Sequence, residues 1–340
     1  MNIIVQKYGG TSVENKEKLE KVCNNIINYR SNKKRELVVV VSAQGNTTDT
    51  LLKKAKEYSI TQNKRDLDLL LSTGEIQTAS LLSMMLNDKG YEAVALTGEQ
   101  AGILSDTTYG NATIKCIYPN NILNHLKNSK IVIVAGFQAV DKLGNITTLG
   151  RGGSDLSAVA IACALKAKRC EIYSDIDGIY SADPRIIPKA KLLKNISYSE
   201  MLEAASAGAK VLHNRSVNVG KKNKMSIIVK NSQQKSQGST INEDKKDFIE
   251  RVKSNNDFED YSIKFITKKD DISKICIVGD MVMSNKEAII KIFNIAYEEN
   301  VTIFMISFSE LAINLIVEKE KSINFMKRLH DELILDTNEK

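Results

Sequence analysis

Residues 146–167 read ITTLGRGGSDLSAVAIACALKA. Gly150, Gly152 and Gly153 surround Arg151, and Ser154-Asp155 then opens a strongly apolar run that reads as a buried helix. A Ser or Asp at that point serves as an ordinary N-cap, and taken alone needs no other explanation. Three glycines in four residues exceed what a cap needs. They would bring backbone amides and a helix N-terminus to an anion, while the arginine presents a fork suited to a carboxylate or phosphate.

Short β-branched runs recur on either side of this segment, between longer helical stretches: Leu37 to Val41, Ala93 to Leu96, Ile131 to Ala135, Glu171 to Ser174 and Ser226 to Val229. The alternation predicts an α/β fold with a central, largely parallel sheet. Ligands of such sheets bind beyond the carboxyl ends of the strands. Polar, glycine-bearing segments follow the apolar runs: KYGGTS after Ile3 to Val5, SAQGNTTD after Val41, TGEQAG after Leu96, and SDIDGIYSADPR after Tyr173. Four loops are therefore expected along one sheet edge.

Two of these loops admit two readings each. In QKYGGTS, residues 6–12, Gly9-Gly10 is either a turn beside a solvated Lys7 or a phosphate cradle with a compensating lysine. Its lysine precedes the glycines, so it is not a P-loop, and it does not match G-x-G-x-x-G. In YSDIDGIYSADPR, residues 173–185, Asp175, Asp177, Asp183 and Arg185 surround Gly178 and Pro184. This is either an acidic turn or the edge of a nucleotide site; the spacing is not that of an EF-hand loop.

Composition narrows the class. The 340 residues allow a catalytic domain and a smaller second one. No stretch reads as a signal peptide or as the roughly 18 apolar residues of a membrane span, so a cytoplasmic protein without membrane contact is expected. Five scattered cysteines without C-x-x-C spacing fit reduced thiols. The net charge of +7 comes with short basic runs, RSNKKRE and KKNK, that lack interleaved aromatics, which argues against nucleic acid. Three histidines and no H-E-x-x-H argue against a dedicated metal centre, so any metal is expected to arrive with a nucleotide.

Residues 233–250 are polar and read as a linker. Beyond it, Lys274 to Gly279 reads as a strand, and the helix in KEAIIKIFNIAYEEN places Ile289, Ile292, Phe293 and Ala296 on one face. Strands at Val301 to Ser307 and Leu311 to Val317 precede a helix at Lys321 to Leu333. This β-α-β-β-α order predicts a small ferredoxin-like α+β unit within 251–340, with a further strand from Tyr261 to Thr267.

Together, KYGGTS, VVVVSAQGNTTD, LLSTGE, QAGI, GFQAVDKLGNITTLGRGGSD, CEIYSDIDGIYSADPR and GAKVLHNRSV closely resemble the aspartate kinases of the amino acid kinase superfamily, in order and spacing, over residues 1–232. The C-terminal unit resembles that family's regulatory ACT domain. The resemblance implies an α/β/α sandwich, transfer of the ATP γ-phosphoryl group to the side-chain carboxylate of L-aspartate, and a place at the entry to lysine, threonine, methionine and diaminopimelate synthesis. It implies Lys7 at the transferring phosphoryl group, with Tyr8, Gly9 and Gly10 at the nucleotide phosphates and Asp155 orienting Lys7. Arg151 would clamp the aspartate α-carboxylate, Glu75 its ammonium group, and Ser42, Thr47, Gly152, Gly153 and Ser154 would complete the substrate site. Ser174, Asp175, Tyr180, Asp183, Arg185 and Lys210 would line ATP, with Mg2+ carried mainly by the phosphates. It further implies a homodimer or higher homo-oligomer, and an amino-acid effector at the ACT unit.

The chain departs from the family pattern in three places. Ala139 stands where G-F-x-G is usual, Asn214 where H-P-R-S is usual, and one ACT unit is found where two are usual. Two other readings stay open at this stage: a kinase of the same superfamily acting on glutamate or acetylglutamate, and a non-catalytic amino-acid sensor. Glu75 with Arg151 disfavours acetylglutamate, and intact Lys7, Arg151, Asp155 and Asp175 disfavour the sensor.

Overall fold

A computed structural model describes residues 2–33, 36–207, 209, 211–234, 236–243, 264, 266–279, 284–309 and 311–335. The chain divides into two compact units, Met1–Thr267 and Lys268–Lys340. The first begins β1 (Ile3–Tyr8), α1 (Lys16–Lys33), β2 (Glu36–Val41), α2 (Thr47–Tyr58), α3 (Lys64–Asp88), β3 (Ala93–Leu96), β4 (Ile103–Ser105), β5 (Ile114–Ile117) and α4 (Asn120–Lys127). It continues β6 (Ile131–Ala135), β7 (Gln138–Val140), β8 (Ile146–Thr148), α5 (Gly153–Ala164), β9 (Arg169–Ser174), β10 (Asn195–Ser197), α6 (Tyr198–Ser206), α7 (Asn214–Lys222), β11 (Ile227–Asn231) and β12 (Ser239–Asn242).

The main sheet has the order β10-β12-β11-β9-β1-β2-β6-β3, and every pairing in it is parallel except β11 with β12. Continuous apolar runs explain the middle of this order. In β2 and β6, Leu37 to Val41 and Ile131 to Ala135 are buried throughout, the pattern of parallel strands covered on both faces. Side-chain alternation along β1 divides the core in two. Ile3 and Val5 pack with α5 residues such as Leu156 and Val159, whereas Ile4 and Tyr8 pack with Val22 and Ile26 of α1 and Leu82 of α3. The result is the expected three-layer α/β/α sandwich. A second sheet, β5-β4-β7-β8, was not legible in the short runs that form it.

On the α1 side of the main sheet lies a buried polar network. Glu171 of β9 is fully buried; its Oε1 meets Arg169 (2.6 Å) and Lys230 (3.4 Å), while its Oε2 accepts from Gln6 Nε2 and from the Tyr173 hydroxyl, each 3.0 Å. The Tyr8 and Tyr173 rings stack at 4.8 Å beside it. β1, β9 and β11 are thus locked side by side by charge as well as by backbone hydrogen bonds.

Three expectations are corrected here. The stretch taken as a linker, 233–250, contains β12, which inserts between β10 and β11; alternating Ser239 and Ile241 bury into the sheet while Thr240 and Asn242 stay half-buried, so a polar composition hid a strand. The first unit correspondingly runs to Thr267. The expected strand from Tyr261 to Thr267 lies mostly outside the described residues, and the described Lys264, Ile266 and Thr267 are not strand. α3 qualifies by length and composition as a membrane span, yet half of its most apolar window is buried inside this unit, so it is a core helix.

The second unit follows the predicted order: β13 (Ile272–Val278), α8 (Lys286–Glu298), β14 (Ile303–Ser309), β15 (Ala312–Glu318) and α9 (Ser322–His330). Its antiparallel sheet runs β13-β15-β14. Ile292 and Ala296 are buried as expected of the α8 face, with Ile289 packed against them. Phe293 is instead 46% exposed, and Ile295 takes the inward position. Phe293 sits one residue, about 100° of helix, past Ile292, which carries it off the buried stripe.

Glu171 is the natural test of the network. Burial pushes its pKa up, but the charges of Lys230 and Arg169 and the hydrogen bonds from Arg169 and Gln6 outweigh burial and leave it below the ordinary value. A carboxylate depressed in the fold contributes stability that is fully present above its unfolded pKa and lost as pH falls through the folded one. Urea unfolding should show this contribution disappearing below about pH 4. Glu171→Ala should cost roughly 3–5 kcal/mol at pH 7, because two largely buried cations lose their counter-charge. It should also abolish that part of the acid dependence.

Candidate active site

The parallel register puts Tyr8 opposite both Val41 and Tyr173, so three loops leave the sheet together. Backbone hydrogen bonds then tie them: Ser42 N–H donates to Tyr8 O (3.1 Å), Gly9 N–H to Tyr173 O (3.3 Å), and Gly45 N–H to Gly10 O (3.1 Å). A Cβ on Gly10 would stand 2.9 Å from the Ala43 carbonyl, which is why this position takes glycine. The TGEQAG loop joins the same edge farther out, where Gly98 N–H donates to Gln138 Oε1 (3.3 Å).

Lys7 projects from the end of β1 toward α5, away from the Glu171 network. Its Nζ meets Asp155 Oδ1 at 2.6 Å, with side chains only 11% and 13% exposed. Asp155 lies in the first turn of α5, so Lys7 faces a helix N-terminus as well as a carboxylate. The preceding turn is shaped for this. Gly152 has φ of +72°, and a Cβ there would lie 2.5 Å from the Cβ of His213. Ser154 is buried against Gly136, while Arg151 is exposed and has no ion pair among the described residues.

Glu75 reaches the same region from α3. It is 3% exposed; Oε1 accepts the Ala43 N–H at 3.0 Å, and Oε2 is buried with no hydrogen-bond partner. Burial raises its pKa to about 7, against the hydrogen bond from Ala43 and the positive charge of Lys7. A buried carboxylate oxygen without a donor carries a penalty that a cationic ligand group would remove. Ser42 and Thr47 stand half-buried on the adjoining loop, with the Thr47 hydroxyl donating to Gln44 O (2.6 Å).

The residues expected along the nucleotide form a more exposed rim. The Ser174 hydroxyl donates to Asp175 Oδ1 (2.9 Å) and the Tyr180 hydroxyl to Asp177 Oδ2 (3.4 Å). Arg185 makes a two-pronged contact with Asp183, Nε to Oδ1 (3.0 Å) and Nη2 to Oδ2 (2.8 Å), at an exposed position. Lys210 lies outside the described residues.

Several participants carry little sequence signal. Phe137 has φ of +66°, costly for a bulky residue, and its ring would meet a Cβ on Gly153 at 2.8 Å. Ser157 of α5 holds the Phe137 N–H (3.1 Å), fixing that strained residue against the Gly150–Gly153 turn. Asp68 was detectable in principle, because it precedes Glu75 by seven residues and so shares its helix face. Arg215 sits in a quoted motif, yet its partners, in loops 111–112 and 149, are far away in sequence.

The amino acid kinase family model matches residues 2–231. An aspartokinase of Bacillus sp. (strain MGA3) is 37% identical over 398 aligned positions that cover 97% of each chain. The crystal structure of an aspartate kinase from Synechocystis is 29% identical, covers 97% of this chain and 69% of that one, and superposes with a TM-score of 0.65. E. coli aspartokinase III, crystallised with aspartate and ADP, shares the fold at 21% identity, with a TM-score of 0.71 over 93% of this chain and 78% of that one.

Glu75 sets a pH dependence. With its folded pKa above the ordinary 4.5, the unliganded fold keeps a proton the unfolded chain has released, so stability should fall as pH rises from about 4.5 to about 7. Binding of an ammonium group needs the ionised form. Affinity for an amino-acid ligand should therefore improve as pH rises from 6 to 8, and titration calorimetry of Glu75→Gln should show weaker binding without that slope.

Proposed function

Because this chain belongs to the amino acid kinase family, and within it to the aspartokinases, we infer that it transfers the γ-phosphoryl group of ATP to the side-chain carboxylate of L-aspartate, giving 4-phospho-L-aspartate. The observation that carries the reading is the half-satisfied, buried Glu75 within the field of the Lys7–Asp155 pair. An ammonium group at Glu75 Oε2 satisfies the orphaned oxygen, and the exposed fork of Arg151 receives the α-carboxylate in two hydrogen bonds. The side-chain carboxylate then faces Lys7.

The acceptor has a pKa of about 3.9 and is already ionised at neutral pH, so no residue need act as general base. What the protein supplies is alignment and charge stabilisation, as phosphoryl transfer with a loose transition state requires. Lys7 stabilises negative charge on the transferring group; Asp155 holds Lys7 in place without taking its proton to the substrate. Gly9, Gly10 and the amides at the start of α5 approach the anionic groups closely. Ser42, Thr47, Gly152, Gly153 and Ser154 border the amino acid; Ser174, Asp175, Tyr180, Asp183 and Arg185 border ATP, and Lys210 is assigned there by the family resemblance alone. The Tyr8 ring, expected at the nucleotide, is instead buried on the α1 side and leaves only its backbone for that role. Among the described residues no three ligating side chains converge on a metal position. Mg2+ would be carried by the ATP phosphates with mainly water as its other ligands, where it would neutralise phosphate charge.

The C-terminal unit is read as an ACT-like regulatory or dimerisation module in a cytoplasmic homodimer, serving lysine, threonine, methionine and diaminopimelate synthesis. The Bacillus alignment spans 398 positions against 340 residues here, so at least 58 positions hold no residue of this chain. The shortfall is close to one small domain. An effector pocket shared between two such units would be incomplete, and inhibition by lysine or threonine should be weak or absent; titration of turnover with either amino acid checks this.

The central experiment follows ADP release with aspartate and with glutamate, trapping the acyl phosphate with hydroxylamine. Aspartate alone should give ADP and hydroxamate. Lys7→Ala should lower kcat by at least about 100-fold, in the range of losing one preorganised charge at the transition state. Turnover close to that of the unaltered protein would remove Lys7 from the mechanism.

A further inference from the structure

Two side chains of opposite sign grip the segment that leads into the Gly150–Gly153 turn. Asp68, two turns before Glu75 on α3, is 1% exposed. Its Oδ2 accepts the N–H groups of Thr148 (2.7 Å) and Gly110 (2.9 Å), and its Oδ1 accepts the Thr148 hydroxyl (2.8 Å). From α7, Arg215 donates to the carbonyls of Leu149 and Ala112 and to Asn111 Oδ1. The anion holds the segment's N–H groups and the cation holds its C=O groups. A direct bond from Ala112 N–H to Thr148 O (2.8 Å) closes the two strands of chain on each other.

Among the described residues neither charge has an ion-pair partner, so each is spent on this one segment. A neutral side chain would leave several of these buried groups unpaired. The placement also joins the two ends of the amino-acid site. Asp68 shares a rigid helix face with Glu75, while Arg215 follows His213, whose Cβ packs against Gly152. Moving the 148–149 segment would change the separation of Arg151 from Glu75.

We propose that Asp68 and Arg215 are positioning residues that fix the Gly150–Gly153 turn, and Arg151 with it, relative to Glu75, and so set aspartate affinity without touching aspartate. The proposal rests on the assignment of that site to aspartate. It concerns binding first, because Lys7 stands on β1 and the nucleotide rim on the loop after β9, and neither Asp68 nor Arg215 bonds to them.

The test compares Arg215→Lys, which keeps the charge but loses the fork, with Thr148→Val, which deletes one donor to Asp68, and with the milder Asn111→Ala at an exposed position. For Arg215→Lys the KM for aspartate should rise roughly tenfold or more, as expected from weakening two part-buried hydrogen bonds and one exposed one, with the KM for ATP within about twofold. The other two should show the same split at smaller size. Hydrogen exchange gives a reading independent of turnover: amides of residues 149–153 should exchange faster in each variant, those of β1 should not. Equal rises in both KM values, or a lower melting temperature with neither KM nor exchange at 149–153 altered, would overturn the proposal. If the unaltered protein shows no aspartate-dependent ADP release, the substrate assignment fails instead, and exchange at 149–153 still decides whether the clamp holds the turn.

Discussion

Lys7 and Asp155 meet at 2.6 Å between the central strand and the first turn of α5, and the shape of the site follows from that contact. A lysine at the end of a strand buried on both faces needs a counter-charge, or it pays the cost of desolvation. Asp155 supplies one, and its place in the first helical turn is favourable for a carboxylate. The pairing fixes the order of the loop. The lysine must still be in the strand to point at α5, so the glycines that let the chain turn beneath the Ala43 carbonyl come after it. This is the reverse of a P-loop, in which the lysine follows the glycines into the helix.

Around that pair the charges alternate. Glu75 carries one buried oxygen satisfied by Ala43 and one left open, and Arg151 stands exposed with its fork unpaired among the described residues. An α-amino acid has the complementary pattern, a cation and an anion on the same carbon. The buried, unpartnered Glu75 oxygen that costs stability is the one an ammonium group would satisfy, which is the usual trade at a preorganised site.

How much of this was legible depended on whether the signal was local. The strand Ile131–Ala135 was legible to the residue because a continuous β-branched run marks a strand covered on both faces, and its edge neighbour Ala93–Leu96 was legible as a short apolar run between polar segments. The Gly-Arg-Gly-Gly turn and KYGGTS were visible as glycine clusters, but only their order with other motifs gave them meaning. β12 was lost because its inward Ser239 and Ile241 alternate with polar residues in a stretch of loop-like composition. Asp68 and Arg215 depend on contacts across 42 to 104 residues, such as Arg215 with Ala112, and Phe137 on Ser157 at 20 residues. No window of sequence contains both partners.

The two faces of β1 divide the labour, and the division guards the register. Gln6 and Tyr8 face α1 and the Glu171 network, while Lys7 faces α5. A slip of one residue would turn Lys7 toward the other face, where a fully buried glutamate would attract it. That wrong pairing is disfavoured because Glu171 is already saturated: Arg169 and Lys230 neutralise Oε1, and Gln6 and Tyr173 fill Oε2. A slipped chain would bring a third cation to that carboxylate and displace Gln6 from it. The network that holds the strands together thereby also keeps Lys7 on the side of the sheet where Asp155 and the glycine turns stand.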